Sequence, residues 1–167
     1  MLLPMPKHDA PAALSADDLE TWSAFATVLE WLPAALDAQL LRAADLTHFE
    51  YGILFALASA PERTLRMSDL ADHANSSLSR LSRAATRLEK RGLMRRQPDP
   101  ADGRFTLAVL TTAGSDVVDE ATPGHAEAVQ RLVLAPLTAA QRRQLLDISR
   151  RIQRAVRSRE GWKPPAP

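Results

Sequence analysis

The chain has 167 residues, no cysteine, 25% charged residues and a formal net charge of +1 at pH 7. That length holds one domain, or one domain with an extension, and is enough to bury a real core. The lack of cysteine excludes a disulfide framework, a thiolate metal site and direct thiol redox sensing. No apolar run approaches the roughly 20 residues that span a bilayer, and no basic-then-apolar leader opens the chain, so a cytoplasmic protein with no membrane partner is expected.

Residues 1–14, "MLLPMPKHDAPAAL", are broken by three prolines and read as a flexible lead-in. Ser15 and Asp18 resemble a capping box opening a helix to about residue 42. Its apolar positions Leu19, Trp22, Phe25, Ala26, Leu29 and Leu32 recur at helical spacing. Pro33 is expected to kink this helix or to start a second one. Thr47 and Glu50 form a second capping box, opening a helix to about Ala58 with Phe49, Ile53, Leu54 and Leu57 inward. "APERTLR" reads as a loop with a short strand, after which Ser68 is expected to cap the brief helix "DLADHA".

"NSSLSRLSRAATRLEKRG" follows, with Ser77 as N-cap and Gly92 as the stop. On a helical wheel Leu78, Leu81, Ala85 and Leu88 share one face. Ser79, Arg83, Thr86, Arg87 and Lys90 lie opposite, with Arg80 and Ser82 on the flanks. Between positions 80 and 96 seven basic residues face one acid, Glu89, a local surplus of six positive charges in an otherwise balanced chain. Such a concentration points to an anionic partner or to a solvated helix face.

"RRQPDPADGRFTLAVLT" then reads as a hairpin: Pro and Gly mark the turn, and Phe105, Leu107 and Val109 alternate with Thr106 and Ala108. Asp102 and Arg104 sit two apart at its tip. Thr111 or Thr112 caps a further helix, expected to break at Pro123-Gly124, resume to about Leu134 and end at Pro136. Thr138 and Gln141 cap a last helix with Leu145, Ile148, Ile152 and Val156 inward. The fold class expected is mainly α: a short helix pair and a small β hairpin in the middle, framed by long amphipathic helices at both ends. The divisions are a flexible segment 1–14, an N-terminal helix 15–45, a middle lobe 46–112, C-terminal helices 113–158 and a flexible tail 159–167; the resemblance given below makes the middle lobe a winged helix-turn-helix DNA-binding lobe and the long N- and C-terminal helices dimerisation helices.

Two short helices joined tightly, the second presenting arginines and small hydroxyls, describe a helix-turn-helix whose second helix enters the major groove of DNA. An arginine fork bonds guanine O6 and N7 together, and short serines let the helix approach closely. The following hairpin is then a wing. An arginine at its tip suits the narrow, strongly negative minor groove of A·T-rich DNA, and an aspartate two residues earlier can hold and aim the guanidinium. Arg104 is thus the expected probe and Asp102 its positioner.

The stretches "LTHFEYGILFAL", "MSDLADHANSSLSRLSRAATRLEKRGLMRR" and "DPADGRFTLAVLTTAG" strongly resemble the MarR family of winged-helix transcription regulators. The resemblance rests on the Asp-x-Arg wing followed by a strand ending in Leu-Thr, with "LEKRGLMRR" ahead of it, and covers roughly residues 19–157. It implies a homodimer bound to a palindromic operator, a repressor relieved by a small aromatic or anionic effector. It places Ser79, Arg80, Ser82 and Arg83 at base-facing positions and Asp102 and Arg104 at the wing pair. With Ser77, Arg87 and Arg95 these make up the expected DNA-binding set, Arg91 to Arg96 serving the phosphates. An effector pocket is expected beside Trp22, Phe25, Trp31, Arg42, His48, Phe49 and Tyr51. No catalytic motif is present. The scattered histidines lack ligand spacing, so no metal and no cofactor are expected, although His48, Glu50 and His125 were a conceivable meeting point. The other reading is a winged-helix interaction module that does not bind DNA.

Overall fold

A computed structural model describes residues 13–157; the lead-in before residue 13 and the tail after residue 157 lie outside them. The elements in order are α1 (Ala16–Ala44), α2 (His48–Ser59), β1 (Thr64–Arg66), α3 (Met67–His73), α4 (Leu78–Lys90), β2 (Met94–Pro98), β3 (Thr106–Leu110), α5 (Thr112–Val129) and α6 (Ala139–Arg157). The chain divides into two compact units, Met1–Ala34 and Ala35–Pro167.

The described part of the first unit is the N-terminal stretch of α1. Ser15 caps it through the Asp18 N–H at 3.1 Å, while its hydroxyl donates to the Asp18 carboxylate at 2.6 Å. Leu19, Trp22, Val28 and Leu29 are about half exposed, leaving an apolar stripe open in the single chain. Trp22 and Phe25 are tilted neighbours with ring centroids 6.4 Å apart. Helix α1 runs on through Pro33, so the second helix allowed for there does not start.

The second unit carries the core. The Thr47–Glu50 capping box forms as read and opens α2. Leu40 from the end of α1, Leu46, Ile53, Leu54 and Leu57 meet Leu70 of α3 and Leu81 and Leu88 of α4, all fully buried. Phe49, expected inward, is only half buried, and Tyr51 takes a core place instead. Helix α3 begins at Met67 with Arg66 as its N-cap residue, so Ser68 lies inside the first turn and is no cap.

The three strands form an antiparallel sheet in the order β1-β3-β2, with Arg66 opposite Leu107 and Pro98 opposite Thr106. The expected alternation fails in β3. Ala108, Val109 and Leu110 are buried in succession while Phe105 is exposed, because β3 is the central strand and its second half is covered on both faces. Thr111 is the N-cap of α5.

Helix α5 also corrects the sequence reading, continuing through Pro123-Gly124 to Val129 before a wider turn over Gln130–Leu134. Local propensity loses here to anchoring on the residues just before the proline. Val118 and Ala121 are buried, and Thr122 bonds the Val118 carbonyl at 2.6 Å and the Tyr51 hydroxyl at 3.0 Å. The Thr138–Gln141 capping box is formed, as read. Leu145, Ile148 and Ile152 of α6 remain substantially exposed in the single chain.

Candidate nucleic-acid interface

Helices α3 and α4 are joined by Ala74–Ser77, with Asn75 at φ 46°, a left-handed conformation that asparagine tolerates. Ser77 then caps α4 by accepting from the Arg80 N–H at 3.3 Å. Gly92, at φ 72°, takes the left-handed conformation that ends the helix. Leu81, Ala84, Ala85 and Leu88 form the buried face. Leu78, expected among them, is 55% exposed because it occupies the first position of the helix, past the edge of the core. Ser79, Arg80, Arg83, Thr86, Arg87 and Lys90 are exposed and Ser82 is half buried, so the arginine and serine face read from the wheel is formed.

The charge surplus is not distributed as its count suggested. Arg87 donates through Nε to the buried Glu50 carboxylate at 2.8 Å. Arg91 turns back to the Ala44 and Asp45 carbonyls at 3.1 and 2.5 Å. Arg96 crosses from β2 to α4, bonding Glu89 at 2.5–2.9 Å, Ser82 at 3.2 Å and Thr86 at 2.9 Å. Arg96 hydrogen bonds outweigh desolvation and hold the Glu89 carboxyl below its usual range. Arg91 and Arg96, expected among the phosphate contacts, therefore brace the lobe through these bonds. Arg95 is exposed and bonds the Gln97 side chain. Arg80 lies over the Phe49 ring, 4.2 Å from its centroid. Arg83 and Lys90 make no ion pair among the described residues.

At the tip of the hairpin Asp102 and Arg104 pair as their spacing implied. Arg104 Nε donates to Oδ1 and Oδ2 at 2.9 and 3.2 Å, Nη2 to Oδ2 at 2.6 Å, and the Arg104 backbone N–H to Oδ1 at 3.1 Å. These bonds lower the Asp102 pKa and raise that of Arg104, so both stay charged. The Arg104 side chain is nevertheless 83% exposed. It is held by its root and offered at its end.

The MarR family pattern matches residues 44–104. The transcriptional regulator HosA of Escherichia coli O111:H- is 30% identical over 111 residues, 66% of this chain and 80% of that protein. Sco3205, a MarR family transcriptional regulator from Streptomyces coelicolor crystallised in complex with DNA, is 38% identical, with a TM-score of 0.88 over 93% of this chain and 99% of that one. The chain belongs to the MarR family. PcaV of Streptomyces coelicolor, crystallised with its natural ligand, is 26% identical with a TM-score of 0.65, covering 86% of this chain and 98% of that one. This MarR family chain is a transcriptional regulator, and its relatives are named for regulation, not for catalysis.

The residues expected around an effector fall in both units. Trp22, Phe25 and Trp31 are exposed or half exposed on the first unit, and Arg42 and His48 are exposed on the second. Phe49 joins Asp37, Thr47, Arg80, Arg83 and Arg87 around an open cleft of about 300 Å³. Tyr51 is buried beside His125, with centroids 4.7 Å apart, and the His48 ring lies tilted to His125 with centroids 5.3 Å apart. Burial, and then the neighbouring His48, lower the His125 pKa, and its buried Nδ1 has no partner. Glu50 does not join these histidines, being taken by Arg87. Among the described residues no group of three or more His, Asp or Glu side chains is arranged to hold a metal, and no helix is long and apolar enough to cross a membrane.

Proposed function

We propose that this regulator binds a palindromic DNA operator as a homodimer, acting as a repressor relieved by a small effector. The observation that carries the reading is the Asp102–Arg104 fork, preformed and exposed on the same lobe as the arginine face of α4. Ser79, Arg80, Ser82 and Arg83 read the major groove, with Ser77 at the helix end and Arg87 and Arg95 near the phosphates, while Arg104 enters the adjacent minor groove. The open apolar stripes of α1 and α6 are the dimer surfaces. A two-fold pair of lobes matches half-sites about one helical turn apart. The effector class that fits the second unit is aromatic or anionic, with Phe49, Tyr51, Arg42 and His48 as its candidate contacts. The site of action is the cytoplasm.

The test is fluorescence anisotropy with the duplex upstream of the protein's own gene, against a shuffled duplex, across salt concentrations. Sequence-preferring binding that weakens steeply with salt supports the reading, because phosphate contacts release counterions. Failure to bind any duplex at low salt overturns it in favour of an interaction module.

A further inference from the structure

The wing is a long arm for its anchorage. Strand β1 pairs with β3 only between Thr64–Val109 and Arg66–Leu107, so the hairpin beyond Leu107 has no strand beside it on that side. The tip spans Asp99 to Phe105, closed by the Asp99 N–H to the Phe105 carbonyl at 2.9 Å and by the Phe105 N–H to the Asp102 carbonyl at 3.0 Å. A loop of this kind swings unless something holds it, and swinging dilutes the benefit of a prearranged Arg104.

Arg66 ends β1 and its side chain continues where the strand stops. Its Nε donates to Asp99 Oδ2 at 3.1 Å, and Nη2 pairs with the same oxygen at 2.9 Å. Its guanidinium carbon lies 4.3 Å from the centre of the Phe105 ring, and that of Arg104 lies 5.9 Å from the same ring. Asp99 is 8% exposed, and its second oxygen accepts the Ala101 N–H at 2.9 Å. One arginine from the edge strand thus grips both ends of the tip, the carboxylate where β2 leaves and the ring where β3 returns. The Ala101 N–H and Arg66 outweigh desolvation and lower the Asp99 pKa, and the charge of Arg66 also helps to lower that of Asp102.

We infer that Arg66, acting through Asp99 and Phe105, is a positioning residue that fixes the wing for minor-groove contact. The inference rests on the DNA-binding reading above but has a readout of its own. A cationic side chain near the wing has an obvious rival role, a direct phosphate contact, and Asp99→Asn separates the two. That substitution leaves the charge of Arg66 in place and removes the carboxylate charge that anchors it, a change that by charge alone would strengthen binding to DNA and so opposes the expected loss.

The experiment compares wild type, Arg66→Gln and Asp99→Asn in two assays. The first is amide hydrogen exchange at Asp99, Ala101, Arg104 and Phe105, with core amides of α4 as the internal reference. The second is anisotropy on duplexes that differ only in A·T-rich or G·C-rich flanks. Both variants are expected to speed exchange in the wing but not in α4, and to lose roughly tenfold in affinity on A·T-rich flanks, the size of one charge-assisted hydrogen bond. Affinity on G·C-rich flanks should hold. Unchanged wing exchange in both variants overturns the inference. So does an Arg66→Gln loss shared by all duplexes, with a shallower salt slope, that Asp99→Asn does not reproduce. If wild type binds no DNA, the function proposed above fails, and the exchange result alone decides whether Arg66 holds the wing.

Discussion

Glu50→Gln isolates one tie between the base of α2 and helix α4. The Glu50 carboxylate accepts from the Thr47 N–H at 3.1 Å and the Thr47 hydroxyl at 3.0 Å through Oε2, and from Arg87 Nε at 2.8 Å through Oε1. Glutamine serves equally well at the third position of a capping box, so the Thr47 bonds survive and only the charged bond to Arg87 is lost. A hydrogen bond to a charged group contributes about 1.5–3 kcal/mol. Because the Arg87 side chain is 57% exposed, solvent screening reduces this to about 1–2 kcal/mol. For a chain of this size the thermal midpoint should fall by roughly 2–8 °C. Burial tends to raise the Glu50 pKa, but the Thr47 N–H, Arg87 and the Thr47 hydroxyl outweigh it, so the folded value lies below the usual one. The stabilisation is therefore present above the unfolded pKa, near 4.3, and lost as pH falls through the lower folded value. Urea unfolding of both proteins at pH 7 and at about pH 3 measures this. A wild-type advantage at pH 7 that shrinks in acid is expected. Equal stability at pH 7, or an undiminished gap in acid, would refute the reasoning.

Arg104→Ala should weaken DNA binding chiefly on A·T-rich flanks in anisotropy, with Asp102→Ala giving part of that loss; equal loss on every duplex would remove the minor-groove role. Arg96→Ala should cost about 1–2 kcal/mol in urea unfolding and leave the salt slope of DNA binding unchanged, whereas a slope shallower by about one would make Arg96 a phosphate contact. Gly114→Ala places a Cβ 2.0 Å from the Leu93 carbonyl oxygen and 2.8 Å from Leu110 Cδ1, so destabilisation at or above about 3 kcal/mol is expected, and wild-type stability would show that α5 shifts freely. Ile148→Glu on the open stripe of α6 should yield monomers in sedimentation, and a dimer of unchanged affinity would place the interface elsewhere.

Elements with local signatures were legible in the sequence. Thr47 with Glu50, Ser77, Gly92 and Thr138 with Gln141 each solve an end-group problem within four residues, and their pattern survives folding. The Asp102–Arg104 fork was legible for the same reason, its partners being two residues apart. The prolines misled. Pro33 and Pro123 each remove one backbone donor, a local cost of about 3 kcal/mol, and at Pro123 the contacts that outweigh it come from elsewhere in the chain. Around Pro123 those contacts include Tyr51, 71 residues from Thr122. The Arg66–Asp99 grip was hidden likewise, since 33 residues separate two side chains that only the sheet order brings together.

The charge surplus shows why counting is a poor guide to an interface. Seven basic residues between 80 and 96 read as one cationic face, yet Arg87, Arg91 and Arg96 are bound to Glu50, to the Ala44 and Asp45 carbonyls and to Glu89. What remains for a partner is smaller and better defined: Arg83 and Lys90, without ion pairs among the described residues, Arg80 resting on an aromatic face, Arg95 bonded to a neutral amide, and the exposed part of Arg87. The bound arginines are not lost to function. Arg87 ties α4 to the start of α2, and Arg96 ties the same helix to β2, the first strand of the wing. If helix and wing meet adjacent grooves at once, as proposed, an error in their relative placement costs both sets of contacts. On the proposed reading, arginines paired within the lobe set the geometry in which Arg83 and Arg104 work.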